Sequence, residues 1–183
     1  DDKPASGGPG MVIKPDVIDA AIKYSLRGSK ISTKRKLLYM SPKGRRFNQS
    51  YAESLCNVSE ITILCGRFEG IDERVLVKNR IEEVSVGDYV LSGGELAAMT
   101  LLDCVVRLLP GTLGNPKSRE KESFSDDLLE APQFTKPILW NGLKVPNILL
   151  SGNHQKIYEW KKEASENETK KKRPDLYIKY VEK

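Results

Sequence analysis

The chain is poor in the residues that bind metals or form disulfides. It has one histidine and three cysteines in 183 residues. Cys56, Cys65 and Cys104 are odd in number and far apart, which excludes a disulfide framework and the paired cysteines of a zinc site. Because each lies in an apolar run, we expect buried thiols in a reducing compartment. His154 is the only histidine and cannot build a metal site alone.

Several patterns that would identify a function class are also missing. No window approaches the roughly 18 consecutive apolar residues of a membrane span, and the first ten residues lack the basic and apolar regions of a signal peptide. We therefore expect a cytoplasmic protein with no membrane partner. The patterns GxxxxGK[ST], GxGxxG, HExxH and GxSxG are absent, so P-loop, Rossmann, zincin and hydrolase-elbow functions have no support.

The bulk composition is that of a small globular protein with a positive charge. A length of 183 residues and 39% hydrophobic content are compatible with one α/β core and a small second domain. The net charge of +5 indicates an anionic partner. Nucleic acid is the leading candidate.

Two motifs carry most of the functional information. CGRFEGIDERV runs from Cys65 to Val75, and VGDYVLSGGELAAM runs from Val86 to Met99. Each follows an apolar, strand-like run and passes through a glycine-rich loop into a helix-like segment. Open α/β sheets bind ligands at the carboxyl ends of neighbouring strands. The two motifs therefore predict a ligand site at one edge of a sheet.

The order of elements predicts an α/β fold with a parallel sheet. We expect a helix from Pro15 to about Arg27, a short strand at LLYM, a turn at SPKGRRF, and a helix capped by Asn48. The segments ITILC and IEEVSV are the next strands. A helix from Glu95 to Leu109 is apolar on almost every face, which predicts deep burial.

A change in composition divides the chain. Residues 1–110 form the predicted α/β domain, and the polar residues 111–125 form a predicted flexible linker. Residues 126–183 form a small, mostly helical domain, with a helical region beginning near Ser151 and a basic run, KKKRP, near its end.

Further short motifs occur in a fixed order with these two: GGPGM, YMSPKGR, LLDCVVRLLPG, ESF and LLSGNH. Together they resemble the bacterial tRNA (guanine-N1)-methyltransferases of the SPOUT superfamily. The resemblance implies a deep trefoil knot around S-adenosylmethionine and a homodimer whose active sites lie at the subunit interface. It also implies that a further segment, with a first strand of the knotted domain, precedes the position of Asp1.

On this resemblance, the protein transfers a methyl group from S-adenosylmethionine to N1 of guanine 37 in tRNA, immediately 3′ of the anticodon. The alternatives are a non-catalytic RNA-binding protein of the same fold, or a knotted methyltransferase acting on another RNA base. The contiguous SVGDYVLSGGELAAM favours the guanine-N1 enzymes.

The resemblance also assigns the cofactor to three loops. Their residues are Tyr39, Met40 and Pro42; Gly66, Phe68, Glu69 and Gly70; and Val86, Gly87, Asp88, Tyr89, Val90, Leu91, Gly93 and Gly94. Glycines suit such loops because a missing Cβ lets the backbone approach a ligand. The alternative is that these loops are only tight turns at strand ends. Ala97 departs from the family, which usually has proline there.

Arg107 and Glu122 are the predicted catalytic residues. Arg107 lies in an apolar helix, and a buried guanidinium needs a partner. The resemblance implies that it contacts the target guanine and stabilises charge on it, whereas the alternative is an arginine reaching solvent at a helix end. Glu122 aligns with the family's general base, usually aspartate. The alternative is a solvated linker charge, with Asp126 and Asp127 as reserve candidates.

RNA contacts are predicted in the second domain. The resemblance implies that the turn containing Asn153 and His154 lies near tRNA at a helix amino terminus. A capping role without a ligand is the alternative. The basic residues Lys170, Lys171, Lys172 and Arg173 could follow an RNA backbone, although such runs are usually solvated. The resemblance also implies a magnesium ion, with Glu69 as a candidate to position it.

Overall fold

The computed structural model describes residues 1–27, 34–112, 122–124 and 126–183. Within it the chain divides into two compact units, Asp1–Leu113 and Gly114–Lys183. Most of the predicted linker, residues 113–121 and 125, lies outside the described residues. No helix among the described residues is long and apolar enough to cross a membrane.

The first unit is a parallel sheet with helices, as the sequence predicts. Its elements in chain order are α1 (Pro15–Ser25), β1 (Arg35–Arg46), α2 (Gln49–Leu55), β2 (Glu60–Cys65), α3 (Glu73–Asn79), β3 (Glu82–Ser85) and α4 (Glu95–Val106). The sheet has the order β2-β1-β3, and β1 runs parallel to both neighbours. The predicted α/β class and parallel sheet are thus confirmed for the described residues.

Strand β1 is longer than the sequence indicates. The segment SPKGRRF, predicted as a turn, belongs mostly to the strand, which ends only at Arg46. Met40 and Arg45 both pair with Val84, so residues 41–44 leave the ladder and rejoin it at the same place. A Cβ added to Gly44 would lie 2.3 Å from the backbone nitrogen of Val84. Glycine at this position therefore lets the excursion close against β3.

The side chains of β1 alternate between two apolar clusters. Leu38 and Met40 are buried on one face of the sheet, with residues of α2 and α4. Tyr39 is buried on the other face, with residues of α1 and α3. This alternation follows from the two-residue period of a strand. It requires a helix layer on each face, which explains why the central strand is apolar on both sides.

Side-chain caps define where two of the short helices begin. The predicted cap at Asn48 is confirmed, because its side-chain oxygen accepts a hydrogen bond of 2.9 Å from the Tyr51 N–H. Asp72 caps α3 in the same way, accepting from the Arg74 N–H at 2.9 Å. Each cap satisfies a helix N–H that has no partner within the helix.

Helix α4 differs from the predicted helix in length and in burial. It ends at Val106, and Arg107 is the residue that caps its carboxyl end. One face is buried, formed by Ala97, Ala98, Leu101 and Val105. The opposite face exposes Leu96, Met99, Leu102 and Val106. The prediction of burial on all sides is therefore wrong for the single chain.

The prediction of three buried thiols is also wrong. Cys65 is exposed, and Cys56 and Cys104 are partly buried. Cys65 is the last residue of β2, where the chain leaves the apolar layers. Desolvation, followed by the nearby Glu95 carboxylate, raises the pKa of the Cys65 thiol.

The second unit is mostly helical. It contains a hairpin of β4 (Leu139–Trp140) and β5 (Leu143–Lys144), a 3-10 turn (Asn147–Leu150), α5 (His154–Lys172) and α6 (Pro174–Val181). Thr169 of α5 is fully buried. Its hydroxyl accepts a hydrogen bond of 2.8 Å from the Leu129 N–H and donates one of 2.7 Å to the Ser165 carbonyl. The Ser165 hydroxyl donates to the Leu129 carbonyl. Both backbone polar groups of Leu129 are thus bound to α5.

Asp19 connects α1 to α3 through hydrogen bonds to two residues of α3. One carboxylate oxygen accepts from the Lys78 ammonium at 3.1 Å, and the other accepts from the Asn79 amide at 3.3 Å. Lys23, one turn further along α1, lies 2.7 Å from the same carboxylate. Hydrogen bonds from Lys23, Lys78 and Asn79 lower the pKa of Asp19 to about 2.

This pKa predicts acid-dependent stability. A carboxyl whose folded pKa lies below its unfolded value of about 3.9 stabilises the fold above that value and loses its contribution as the pH falls through the folded pKa. Asp19→Asn should therefore lower the free energy of unfolding near neutral pH, and its difference from wild type should shrink between about pH 4 and pH 2. Urea unfolding across this range measures the difference. Asp16→Asn, on an exposed site of α1, is the matched control. A difference from wild type that stays constant with pH would contradict the assignment.

Candidate functional site

A cavity of about 260 Å³ lies where the carboxyl ends of the three strands meet. Its walls come from the excursion of β1, the loop after β2 and the loop after β3. All residues predicted to bind the cofactor line this cavity except Asp88. They are Tyr39, Met40, Pro42, Gly66, Phe68, Glu69, Gly70, Val86, Gly87, Tyr89, Val90, Leu91, Gly93 and Gly94.

Asp88 does not line the cavity. Its side chain is 84% exposed, and its carboxylate lies 3.5 Å from the Arg46 guanidinium. Its neighbours Gly87 and Tyr89 do line the cavity. Asp88 is therefore the one predicted cofactor-binding residue of the third loop that lies outside the cavity lining.

Other lining residues were not predicted from the sequence to bind the cofactor. They are Ser41, Lys43, Arg67, Ile71, Glu73, Leu76, Glu83, Val84, Ser85, Ser92 and Ala97. Some of them, such as Arg67 and Ser92, lie inside the two motifs, so motif position was a usable signal. Glu83 and Val84 belong to β3, and only the pairing of β3 with β1 brings them to the cavity.

Tyr39 anchors the second loop. Its side chain is buried, and the Ile71 N–H faces its hydroxyl. A Cβ added to Gly66 would lie 2.7 Å from the Tyr39 hydroxyl, and a Cβ added to Gly70 would lie 3.0 Å from it. Burial, and then the Glu83 carboxylate, raises the pKa of Tyr39. The phenol therefore stays neutral at physiological pH and acts as a packing and hydrogen-bonding group.

The second and third loops are joined through their backbones. The Gly94 N–H donates to the Gly66 carbonyl at 3.0 Å, and Arg67 forms a β-bridge with Gly93. A Cβ on Gly94 would lie 2.9 Å from the Cys65 Cα. The absence of a side chain at Gly94 therefore sets the distance between the two loops.

An ion pair crosses the same junction. The Arg67 guanidinium donates to one oxygen of Glu95 at 3.0 and 3.2 Å. A hydrogen bond from the Glu95 backbone N–H, and then one from Arg67, lower the pKa of Glu95. Both side chains are largely exposed, so this pair contributes little to stability. It does fix the direction of Arg67, which lines the cavity.

The amino terminus of α4 also reaches the cavity. Gly94 is the residue before the helix, and Ala97 of the first turn lines the cavity. The first N–H groups of a helix have no acceptor within it and carry a partial positive charge. Ala97 keeps one such donor, whereas proline would remove it without breaking the helix. The departure noted at this position therefore leaves the helix intact.

No metal site is found within the described parts of the chain. No group of three or more histidine, cysteine, aspartate or glutamate side chains is close enough to hold an ion there. Glu69 lines the cavity, and its side chain lies against Gly10, where an added Cβ would be 2.4 Å from the Glu69 Cγ. A role for Glu69 with magnesium has no structural support.

The two predicted catalytic residues belong to different units. Arg107 is partly buried at the carboxyl end of α4 in the first unit. Glu122 belongs to the second unit, where it lines a separate cavity of about 220 Å³ with Tyr158, Lys161 and Lys162. Of the reserve candidates, Asp127 forms an ion pair of 2.6 Å with Lys183, and Asp126 is exposed.

Asn153 has a capping function in the predicted RNA-binding turn. Its side-chain oxygen accepts a hydrogen bond of 3.1 Å from the Lys156 N–H, at the start of α5. His154 is the first residue of that helix and is exposed. Asn153 therefore caps α5, and the RNA contact predicted for this turn stays a prediction.

Most of the basic run has partners within its own unit. The Lys170 ammonium lies 5.7 Å from the centre of the Tyr177 ring. Lys172 pairs with Glu168, and Arg173 binds both oxygens of Asp175 at 2.6 and 2.8 Å. The hydrogen bond from Arg173 lowers the pKa of Asp175 to about 2. The charges of Lys172 and Arg173 are therefore partly neutralised before any RNA contact.

Comparison with known proteins gives a consistent result. The family described as tRNA (Guanine-1)-methyltransferase TrmD matches residues 1–179. A protein of Ruegeria pomeroyi named tRNA (guanine-N(1)-)-methyltransferase is 52% identical over 177 residues, which is 97% of this chain and 72% of the relative. Proteins with the same name from Rhodospirillum rubrum and Bartonella tribocorum are 50% and 49% identical, over 99% and 98% of this chain and 74% and 75% of the relatives.

Replacing either of the two adjacent glycines at the loop junction by alanine should have different effects on the melting temperature. At Gly94 a Cβ would meet backbone atoms of Cys65 and Gly66, which cannot move without separating the loops. At Gly93 its closest neighbour, at 2.3 Å, is the end of the flexible Glu95 side chain. Gly94→Ala should lower the melting temperature by about 2–10 °C, and Gly93→Ala by much less. Thermal unfolding followed by circular dichroism measures both, and equal losses would contradict the backbone contact.

Proposed function

The chain belongs to the tRNA (guanine-N1)-methyltransferase family and methylates N1 of a guanine in tRNA, and we propose that this guanine is residue 37, immediately 3′ of the anticodon. We propose S-adenosylmethionine as the methyl donor, in the cavity at the strand ends. The observation that carries this proposal is that three glycine-containing loops meet around a single cavity. A cytoplasmic location is part of the same proposal.

The chemistry of the cavity suits an adenosine-containing donor. Gly66 and Gly94 allow the second and third loops to approach each other closely beside the cavity, because an added Cβ would meet Tyr39 or the Cys65 backbone. Phe68 and Tyr89 provide exposed aromatic surface beside them. Bound S-adenosylmethionine would supply an electrophilic methyl group on a sulfonium. Holding the donor and the guanine in line is the main task of such a site.

The remaining steps are proton removal and charge stabilisation. As N1 of guanine accepts the methyl group, it must lose its proton. We assign the Glu122 carboxylate as the acceptor of this proton. Negative charge that develops on the purine oxygen is stabilised by the Arg107 guanidinium. A carboxylate suits this role when closure of the site desolvates it and raises its pKa toward neutrality.

Helix α4 supports a homodimer. Its exposed Leu96, Met99, Leu102 and Val106 recur at intervals of three or four residues and so form one stripe opposite the buried face. A helix with apolar residues on both faces is normally enclosed on both sides. A second copy of the chain would cover this stripe, and Glu122 from one copy would complete the site that contains Arg107 of the other. The trefoil knot of the resembling family is part of this proposal, supported by the tight junction of the loops at Gly66 and Gly94.

Methyl transfer to tRNA transcripts tests the function directly. Incorporation of labelled methyl groups from S-adenosylmethionine should occur with guanine at position 37 and fall to background with adenine there. Incorporation into both transcripts, or only at another position, would indicate a methyltransferase for a different base. RNA binding without any incorporation would favour the non-catalytic alternative.

Glu122→Gln should reduce single-turnover methyl transfer by about 10²–10⁴-fold, the usual contribution of a general base. Binding of tRNA and of the donor should change little, because the amide keeps the shape of the side chain. Glu122→Asp should keep substantial activity, because the carboxylate is retained. Rapid-quench assays with saturating tRNA measure the rate.

Asp127→Asn is the matched control, since it removes a neighbouring carboxylate that is paired with Lys183. If this variant loses activity and Glu122→Gln does not, the base has been assigned to the wrong residue. Mixing the Glu122→Gln protein with an Arg107→Ala protein should restore part of the activity, because a mixed dimer has one complete site. No recovery after verified subunit exchange would contradict a shared site.

A further inference from the structure

The hairpin of the second unit exposes an unusual amount of apolar surface. Leu139 and Trp140 are each 62% exposed, and Leu143 is 69% exposed. All residues from 133 to 144 are exposed, although the segment has a defined hairpin structure. None of the predicted catalytic, cofactor or RNA-binding residues lies in this segment.

The hairpin presents its side chains in a fixed arrangement. Trp140 pairs with Leu143, and Leu139 pairs with Lys144. Residues that pair directly across two strands project on the same face. Trp140 and Leu143 therefore form one face, and Leu139 and Lys144 project from the opposite face. We call the side chains of Trp140 and Leu143 the hairpin face.

The turn makes this face rigid. Asn141 and Gly142 both have positive φ, at 49° and 80°. Two such residues between paired strands form the tight turn whose twist matches that of a hairpin. The indole is therefore carried on a short, ordered element and loses little conformational entropy when it contacts a partner.

The charged Asp, Glu, Lys and Arg residues in the sequence around the hairpin are all of one sign. No aspartate or glutamate occurs between Glu130 and Glu159, although the chain contains 25 of them. The same segment contains Lys136, Lys144 and Lys156. An exposed aromatic ring in a segment that has lysines and lacks carboxylates is complementary to a base attached to a phosphate backbone.

We propose that the hairpin face is a stacking platform for an unpaired base of the RNA substrate, with Lys144, on the opposite face of the hairpin, contacting a phosphate of the same RNA. The inference rests on the proposed function, because it assumes an RNA with an unpaired loop. A second protein is less suitable as the occupant, since one indole and one leucine provide far less area than the roughly 800 Å² per partner of a stable protein interface. Stacking needs only the area of a single ring and accepts any base.

The two tryptophans allow a direct spectroscopic test. Trp160 packs near Phe134, with ring centres 6.2 Å apart, and is not part of the hairpin. A Trp160→Phe protein therefore reports on Trp140 alone. Its fluorescence should be quenched by an RNA hairpin with an unpaired loop, and much less by a fully paired duplex with the same number of nucleotides. Equal quenching by both RNAs, or by neither, would overturn the proposal.

Affinity measurements separate stacking from electrostatic attraction. Trp140→Ala should weaken binding of the RNA hairpin by about 5- to 150-fold, whereas Trp140→Phe should keep most of the affinity. The salt dependence should be unchanged by Trp140→Ala but reduced by roughly 0.7–0.9 in slope by Lys144→Ala, which removes one phosphate contact. Ile178→Ala, which removes an exposed aliphatic side chain from α6, is the control and should have no effect.

The outcomes distinguish this inference from the proposed function. If wild-type protein methylates tRNA but Trp140→Ala binds RNA as wild type does, the stacking platform is wrong and the enzyme assignment stands. If no methylation occurs but the loop-specific quenching is observed, the platform stands without the enzyme. If Trp140→Ala instead changes the oligomeric state in sedimentation experiments and leaves RNA affinity unchanged, the hairpin face contacts a second copy and the proposal is overturned.

Discussion

The pairing of one residue of β3 with two residues of β1 determines the shape of the site. Because Met40 and Arg45 both align with Val84, the four residues between them must leave the sheet at its carboxyl edge. Gly44 allows the chain to return against the backbone of β3 without a clash. The excursion then forms one wall of the cavity, opposite the two loops that meet at Gly94. The cavity is thus a consequence of strand register as much as of the loop sequences.

The sequence predicts the elements whose signals are local. The strands β2 and β3, the cap at Asn48 and the proline-initiated α1 each depend on a few neighbouring residues, and each is found. The second half of β1 could not be predicted, because proline and glycine normally argue against a strand and its pairing with β3 is non-local. For the site, glycine-rich loops could be identified from the sequence. The contributions of Glu83 and Val84 could not, because only the sheet brings them to the cavity.

Helix α4 illustrates a limit of composition as a guide to burial. A helix that is apolar on all faces is compatible with the interior of one chain and with an interface between two. The sequence of residues 95–106 is the same in either case, and only the exposed stripe of Leu96, Met99, Leu102 and Val106 distinguishes them. On the proposed mechanism the distinction matters for activity, because Arg107 directly follows this helix and Glu122 belongs to the other compact unit. Catalysis would then depend on the association of two copies of the chain.

The buried hydroxyl of Thr169 has a consequence for how the second unit can evolve. Valine would fill nearly the same volume but would leave the Leu129 N–H without its acceptor, at a cost of about 1–3 kcal/mol. Serine could replace the hydrogen bond, and Ser165, which binds the Leu129 carbonyl, is under the same restriction. The charged residues on the other faces of α5 instead make exposed contacts, such as the ion pair of Lys172 with Glu168, which contribute less to stability. At these two positions of α5 the choice of side chain is therefore restricted by a hydroxyl group as well as by volume.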